Sequence, residues 1–154
     1  MIKKISLLFL FLLSASAFAA EDYRVTHVVS GNFEEVRDNV VSAVINRGLV
    51  INNISHVGEM LERTGIGLGD YQRIFVRAEI LEFCSAAVSR ENMKANPHII
   101  VFCPYGIAVY VLPGEPGKVY VSYRKPIGGA TPQEVKAVQS LEKLMADIVR
   151  EAIE

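Results

Sequence analysis

Apolar and polar residues alternate along several short stretches of the chain, a pattern typical of half-buried β-strands. These stretches run over residues 23–30, 49–55, 74–83, 107–112 and 118–124. The last two are separated by the turn-forming run Pro113-Gly114-Glu115-Pro116-Gly117, which predicts a hairpin. A shorter apolar run over residues 99–102 predicts a further, buried strand.

Helical periodicity and capping residues predict four helices between and after these strands. Asn32, with Glu35 three positions later, predicts the start of a helix that ends at Gly48. Thr131-Pro132-Gln133-Glu134 predicts the start of the C-terminal helix. Shorter helices are predicted over residues 57–63 and 85–96. The glycine-rich residues 65–69 follow a helix and precede a strand, the reverse of a phosphate-binding loop, so they predict a flexible connection.

The order of these elements predicts the fold class. Strands and helices alternate first, and a hairpin and a long amphipathic helix follow. We therefore expect an α+β domain of two layers, with a mainly antiparallel sheet covered by helices and the C-terminal helix packed on the sheet.

The first residues have the three parts of a bacterial secretory signal. Lys3 and Lys4 form a charged start, residues 5–13 are almost entirely apolar, and Ala17-Phe18-Ala19 resembles a cleavage site. The apolar run is shorter than the roughly 20 residues that span a bilayer. We expect a signal peptide over residues 1–19, a single domain over residues 20–154, and a periplasmic or secreted product without a membrane segment.

Charge and length narrow the possible partners. The 154 residues carry a formal net charge of −1, and loss of Lys3 and Lys4 makes the remainder more acidic. A mildly acidic domain without a basic stripe argues against nucleic acid, because phosphate neutralisation drives such binding. A chain of this length buries a sufficient core without cross-links, so its two cysteines are not needed to hold the fold.

Cys84 and Cys103 each end an apolar stretch and are the first candidates for chemistry. If the helix between them joins roughly parallel strands, both thiols lie at the same edge of the sheet. A structural disulfide would close a 20-residue loop and contribute about 3 kcal/mol. A redox-active dithiol, a metal or haem ligand pair and inert buried thiols remain alternatives. The spacing is neither Cys-x-x-Cys nor Cys-x-x-Cys-His.

Five further residues are candidates for ligand binding: Glu82, His98, Tyr105, Tyr120 and Arg124. Glu82 lies near the end of its strand, on the face that carries Cys84, and His98 precedes Cys103 by five residues. Tyrosine rings beside a basic group bind organic anions or pack in a homodimer interface.

The sequence contains no pattern typical of a catalytic site. It has no Ser-His-Asp order, nucleophile elbow or His-Glu-x-x-His motif. We therefore predict no catalytic residue and no cofactor, and favour an exported module that binds a small ligand or a partner. The alternative is a periplasmic redox protein that uses Cys84 and Cys103 as a dithiol or as haem or metal ligands.

Several spaced segments resemble one bacterial family. They are Glu82-Phe83-Cys84, Met93-Lys94-Ala95-Asn96-Pro97, Phe102-Cys103-Pro104-Tyr105-Gly106-Ile107-Ala108-Val109-Tyr110, Glu115-Pro116-Gly117-Lys118-Val119-Tyr120-Val121 and Tyr123-Arg124-Lys125-Pro126. Together they resemble the family called domain of unknown function 302, in a form that looks like an exported, cysteine-containing subgroup. The resemblance implies a compact α+β domain, commonly a homodimer, with no established reaction. Many family members lack both cysteines, so it implies no shared cysteine chemistry.

Overall fold

The computed structural model describes residues 23–154, so the predicted signal peptide lies outside the described residues. Along these described residues, five strands and four α-helices follow one another, with a 3-10 helix between the third helix and the fourth strand. Their bounds are β1 (Arg24–Ser30), α1 (Phe33–Ile45), β2 (Val50–Ser55), α2 (Val57–Leu68), β3 (Arg77–Cys84), α3 (Ala86–Ala95), the 3-10 helix (Pro97–Phe102), β4 (Tyr105–Val111), β5 (Lys118–Arg124) and α4 (Pro132–Ile153). Within residues 23–154 no helix is long and apolar enough to cross a membrane.

The strands form one open sheet in the order β1-β5-β4-β3-β2. Every neighbouring pair is antiparallel. Helix α4 lies on this sheet beside α1, and the two helices contact each other along their length. The predicted α+β class, the mainly antiparallel sheet and the packed C-terminal helix are therefore confirmed.

The main core lies between one face of the sheet and helices α1 and α4. It forms because odd-numbered residues of β3, β4 and β5 all point to this face. The fully buried members with the largest side chains are Phe83, Leu81, Ile107, Leu141, Ile148, Val40, Val44, Val109, Val119, Val121 and Val149. At about 25 cal/mol per Å² of apolar area, this burial is the main stabilising contribution to the fold.

The opposite face of the sheet is only partly covered. Helix α2 crosses β3 there, and a Cβ on Gly58 would lie 2.9 Å from the backbone nitrogen of Ala78. Farther along, Tyr110 stacks on Tyr120 with ring centroids 5.1 Å apart. This face therefore mixes half-buried aromatic rings with polar side chains.

The two N-cap residues that the sequence indicates, Asn32 and Thr131, are in place. The Asn32 Oδ1 accepts a hydrogen bond from the Glu35 backbone nitrogen at 2.7 Å, and Thr131 Oγ1 accepts one from that of Glu134 at 3.2 Å. These side chains satisfy amide groups that have no partner inside a helix. At the other end of α1 the prediction is off by a residue, since the helix ends at Ile45 with Asn46 as its C-cap, and the left-handed Gly48, with φ of 70°, lies two residues beyond that cap.

Three predicted elements were wrong. Residues 99–102 form part of a 3-10 helix, in which Ile100 and Val101 are exposed, because Pro97 and the Asn96 side chain begin a helical turn. Helix α2 continues to Leu68 through the supposed flexible loop and ends at Gly69, whose φ of 74° makes it the C-cap. Strand β3 begins at Arg77, three residues later than predicted.

Candidate functional site

Cys84 and Cys103 meet at one end of the sheet. Cys84 is the last residue of β3, and Cys103 lies two residues before the first residue of β4. The strands are antiparallel, with Phe83 paired to Tyr105, so the end of β3 lies beside the start of β4. The two cysteines approach each other as predicted, but the reason given, parallel strand ends, is wrong.

Ser89 and Tyr105 connect this thiol pair to the rest of the domain. Helix α3 begins at the Ser85 cap and places Ser89 one turn later, above the start of β4. The Ser89 hydroxyl lies 3.4 Å from Cys103 Sγ and 2.7 Å from the Tyr105 hydroxyl. The Tyr105 ring packs edge-on against Phe83 at 5.9 Å between centroids, so a buried aromatic pair supports the cluster.

Both cysteines are free thiols, with Cys84 exposed and Cys103 half-buried. Desolvation raises the pKa of Cys84, and the like charge and hydrogen bond of Cys103 raise it further. Burial likewise raises the pKa of the Tyr105 phenol to about 12, although its hydrogen bond to Ser89 acts in the opposite direction. The surroundings of Cys84 and Tyr105 therefore favour the neutral, protonated form of these two groups.

A cavity of about 230 Å³ opens beside this cluster. Glu82, Tyr105 and Arg124 line it, with apolar groups from the sheet, the chain near Cys103, and α4. It lies where the β4–β5 ladder ends, since Ile107 and Tyr123 are the last pair at this end. The cavity therefore lies just beyond the last paired residues of β4 and β5.

A row of residues across the sheet forms one wall of the cavity. Glu82 of β3 is paired with Gly106 of β4. Arg124 of β5 directly follows Tyr123, the partner of Ile107, so it lies on the other side of Gly106 from Glu82. Because strands are roughly 4.8 Å apart, Glu82 and Arg124 stand about 10 Å apart across a residue without a side chain. Gly106 therefore leaves room between an acidic and a basic group.

The two charged residues, Glu82 and Arg124, differ in their hydrogen bonding. Glu82 accepts hydrogen bonds from the Asn53 side chain and the Ser55 hydroxyl of β2, both at 3.1 Å. Within residues 23–154, Arg124 has no hydrogen-bond or ion-pair partner for its guanidinium. Arg24 is its cross-strand neighbour in β1, and the Arg24 guanidinium donates to the Tyr23 hydroxyl at 2.8 Å.

The structure brings Cys84, Cys103, Glu82, Tyr105 and Arg124 to one end of the sheet. The other two predicted candidates lie elsewhere. His98 is exposed in the 3-10 helix and does not line the cavity. Tyr120 shares a sheet face with Arg124, but its hydroxyl donates to Glu115 near the hairpin turn, away from the cavity.

Sequence reasoning missed Ser89 and Gly106. In the sequence, Ser89 cannot be told apart from any other polar residue on the surface of a helix. Its direction toward Cys103 and Tyr105 depends on where the helix begins, at the Ser85 cap. A glycine inside an apolar strand often marks a place where a ligand or another part of the backbone comes close. Gly106 was therefore the one residue from which the sequence could have indicated the cavity. Among the described residues, no group of three His, Cys, Asp or Glu side chains is placed to hold a metal ion.

The fold and site thus define a small α+β domain with a cavity and a thiol pair at one end of an antiparallel sheet. A family model described as "Domain of unknown function DUF302" matches residues 25–153. The chain belongs to this family. No curated protein is significantly similar to it.

A solved structure shares the fold. It is the crystal structure of an uncharacterized conserved protein DUF302 from Bacillus stearothermophilus, which superposes with a TM-score of 0.70. The two sequences are 20% identical, and the match covers 85% of this chain and 98% of that chain. At this identity the similarity shows the fold alone.

Proposed function

We propose that the protein is an exported binding module that takes a small organic anion into the cavity between Glu82 and Arg124. The observation that carries this proposal is the Arg124 guanidinium, which lines the cavity without a partner among the described residues. An arginine fork matches a carboxylate with two parallel hydrogen bonds, and such charge-assisted bonds are stronger than neutral ones.

The rest of the cavity defines the ligand more closely. Its remaining wall contains apolar groups, including Phe102 and Pro104, which fit an apolar ring or chain. Glu82 retains lone pairs beyond the two hydrogen bonds that hold it, so it accepts a hydrogen bond from a donor on the ligand. The expected ligand is a small carboxylate with an apolar body, with or without a donor group at its far end.

The environment of Cys84 supports binding over catalysis by that thiol. Catalytic cysteines have a lowered pKa because a cation or a helix N-terminus stabilises the thiolate. Burial and Cys103 instead raise the pKa of Cys84. The export of the domain rests on the signal-like residues 1–19 and remains part of this proposal.

Benzoate is a suitable probe, and its neutral amide, benzamide, is the control ligand. We expect benzoate to shift the NMR signals of Tyr105, Gly106 and Arg124, and benzamide to bind at least tenfold more weakly. Arg124→Gln removes the charge-assisted bonds, which are worth about 1.5–3 kcal/mol, and should weaken benzoate about 10- to 100-fold.

The matched control variant is Lys136→Gln, which removes one charge from an exposed residue of α4 outside the cavity. It should leave the benzoate affinity unchanged. Equal affinity in Arg124→Gln and the parent protein, or shifts confined to another surface, would contradict the proposal.

We also propose that the partner of this module is a second copy of the chain. Helix α2 has no buried residue, and it and the loop after it expose a set of large apolar side chains, named here the α2 surface: Met60, Ile66, Leu68, Tyr71 and Ile74. Leu68 and Tyr71 are each 78% exposed. Apolar patches of this kind mark interaction sites.

The charges on the same segment favour self-association. The exposed charged residues are of both signs, three acidic (Glu59, Glu62 and Asp70) and two basic (Arg63 and Arg73), so two copies related by a two-fold axis can pair opposite charges. Light scattering should give the mass of a dimer. Leu68→Asp should give a monomer, and the control Val101→Asp, at an exposed apolar residue of the 3-10 helix, should stay dimeric. A monomeric parent protein refutes this part of the proposal.

A further inference from the structure

The thiol pair and the cavity share their two chain segments. On β3, Cys84 follows the cavity residue Glu82 by two positions. On the other segment, Cys103 immediately precedes Pro104 and Tyr105, both of which line the cavity. Any change in how the two cysteines are joined therefore acts on two neighbouring parts of the cavity wall.

A second connection runs through side chains. The Ser89 hydroxyl contacts both Cys103 Sγ and the Tyr105 hydroxyl, at 3.4 and 2.7 Å. Ser89 has one proton to donate, so it donates either to the sulfur or to the phenol. When Cys103 changes from thiol to disulfide, the hydrogen bonding of this hydroxyl changes, and Tyr105 is the cavity residue that it affects.

We propose that Cys84 and Cys103 form a reversible disulfide, and that the oxidised form binds the anionic ligand of the cavity more tightly than the reduced form. This inference rests on the proposed function for the identity of the ligand site. The disulfide would hold the end of β3 against the start of β4 and so fix the cavity in its open form. A site fixed before binding loses less conformational entropy when the ligand binds.

The oxidant is a disulfide of a small thiol, of the class present in oxidising compartments. The exposed Cys84 loses its proton and attacks that disulfide, forming a mixed disulfide and releasing one thiolate, which takes up the proton. Cys103 then loses its proton, attacks the Cys84 sulfur and releases the second small thiol. In sum, two cysteine thiols and one small disulfide become one protein disulfide and two small thiols.

The environment of Cys84 favours the oxidised state once it has formed. A thiol of raised pKa is a poor leaving group in exchange, so the bond that contains it is reduced slowly. The pKa of Cys84 is raised by burial and by Cys103. Strand pairing at Phe83–Tyr105 also holds the two segments adjacent, so closing the bond requires little loss of chain freedom.

The test compares the reduced protein with protein oxidised by oxidised glutathione. Peptide mapping should identify an intramolecular bond between Cys84 and Cys103. Benzoate should bind the oxidised protein about fivefold or more tightly than the reduced protein, a coupling of the usual size. By the same linkage, saturating benzoate should raise resistance to reduction, and each tenfold of coupling shifts the midpoint potential by about 30 mV.

The double variant Cys84→Ser with Cys103→Ser is the control, because it cannot form the bond. Its benzoate affinity should equal that of the reduced protein, with or without glutathione disulfide. Equal affinity in the oxidised and reduced parent, or no intramolecular bond, overturns the inference.

Failure of the proposed function is recognised separately. If neither form binds benzoate, the NMR signals of Tyr105 and Gly106 still report on the cavity wall. Different signals in the two redox states would show that the thiol pair acts on the cavity even though the ligand class is wrong. Identical signals would overturn the inference itself.

Discussion

Replacing Gly106 by alanine tests whether the space between Glu82 and Arg124 is the binding site. A Cβ added to Gly106 would lie 3.2 Å from Ile80 Cγ2, closer than ordinary van der Waals contact, and no backbone atom would lie nearer. Ile80 is half-buried and itself lines the cavity, so its side chain has room to move by a few tenths of an ångström. The fold should therefore tolerate the substitution.

The effect on stability should be small because two contributions oppose each other. Alanine removes the extra unfolded-state entropy of glycine, a gain of roughly 0.5–1 kcal/mol. Displacement of Ile80 from its rotamer costs about the same. Gly106 does not have a positive φ, so no backbone strain is added. The free energy of unfolding in urea should change by less than about 1 kcal/mol.

The effect on binding should be larger. The new methyl group occupies the wall between the two charged residues, and an anion seated against Arg124 must move outward. Loss of one well-formed charge-assisted interaction is worth about 1.5–3 kcal/mol, so benzoate should bind about 10- to 100-fold more weakly. NMR titration measures this change, and urea unfolding on the same samples measures stability.

Gly67→Ala is the matched control. A Cβ there meets no atom within 4 Å, and the residue lies inside α2, where alanine should stabilise by about 0.5–1 kcal/mol. Benzoate affinity should not change. Unaltered benzoate affinity in Gly106→Ala would show that the ligand does not occupy this space, and a stability loss above about 2 kcal/mol would show that Ile80 cannot move.

Three further predictions address other parts of the domain. Under oxidising conditions, Cys84→Ser should have a free energy of unfolding about 2–4 kcal/mol lower than that of the parent protein, and the difference should disappear under reductant. Equal melting points of the variant and the oxidised parent would exclude a disulfide bridge. Burial raises the pKa of Tyr105 to about 12 from 10, so the folded chain retains a proton that the unfolded chain loses, and stability to urea should fall as pH rises between these values. Tyr105→Phe should make that dependence shallower without removing it, because burial also raises the pKa of Tyr123, and a parent protein with a flat profile would contradict the prediction. Gly129→Ala should destabilise by more than about 1 kcal/mol in thermal melts, because φ is +116° and the Cβ would lie 2.7 Å from the Val135 nitrogen; an unchanged melt would refute this.

Local signals in the sequence predicted most of the fold. The caps at Asn32 and Thr131, the C-terminal stripe and the hairpin all depend on residues a few positions apart, so a single sequence contains what is needed. The apolar periodicity of the C-terminal helix predicts one buried stripe, and only Val135 departs from it. Val135 is 38% exposed, whereas the other residues of the stripe are buried: Val138, Met145, Ile148 and Ala152.

The errors come from contacts that no local pattern describes. The Gly65–Gly69 region was interpreted as a loop from its glycines, yet a Cβ on Gly65 would lie 2.6 Å from the Asp70 carbonyl oxygen. That glycine permits the close return of the chain at the end of α2, where the Asp70 nitrogen donates to the Gly65 oxygen at 2.9 Å. Likewise the apolar character of Ala86 and Ala87 predicts that they are the inward residues of the helix over residues 85–96. Both are exposed, and the buried residue of α3 is Asn92.

The candidate site depends on strand register, which explains why its residues were predicted but its shape was not. A shift of one residue in β5 would exchange the two faces of the strand and bring Tyr123 to the position of Arg124. Val119, Val121 and Tyr123 prevent that shift, because all three are buried against the helices. The core therefore fixes the position of Arg124 beside Gly106. It follows that a core substitution in β5 that loosens the register should weaken anion binding before it unfolds the domain.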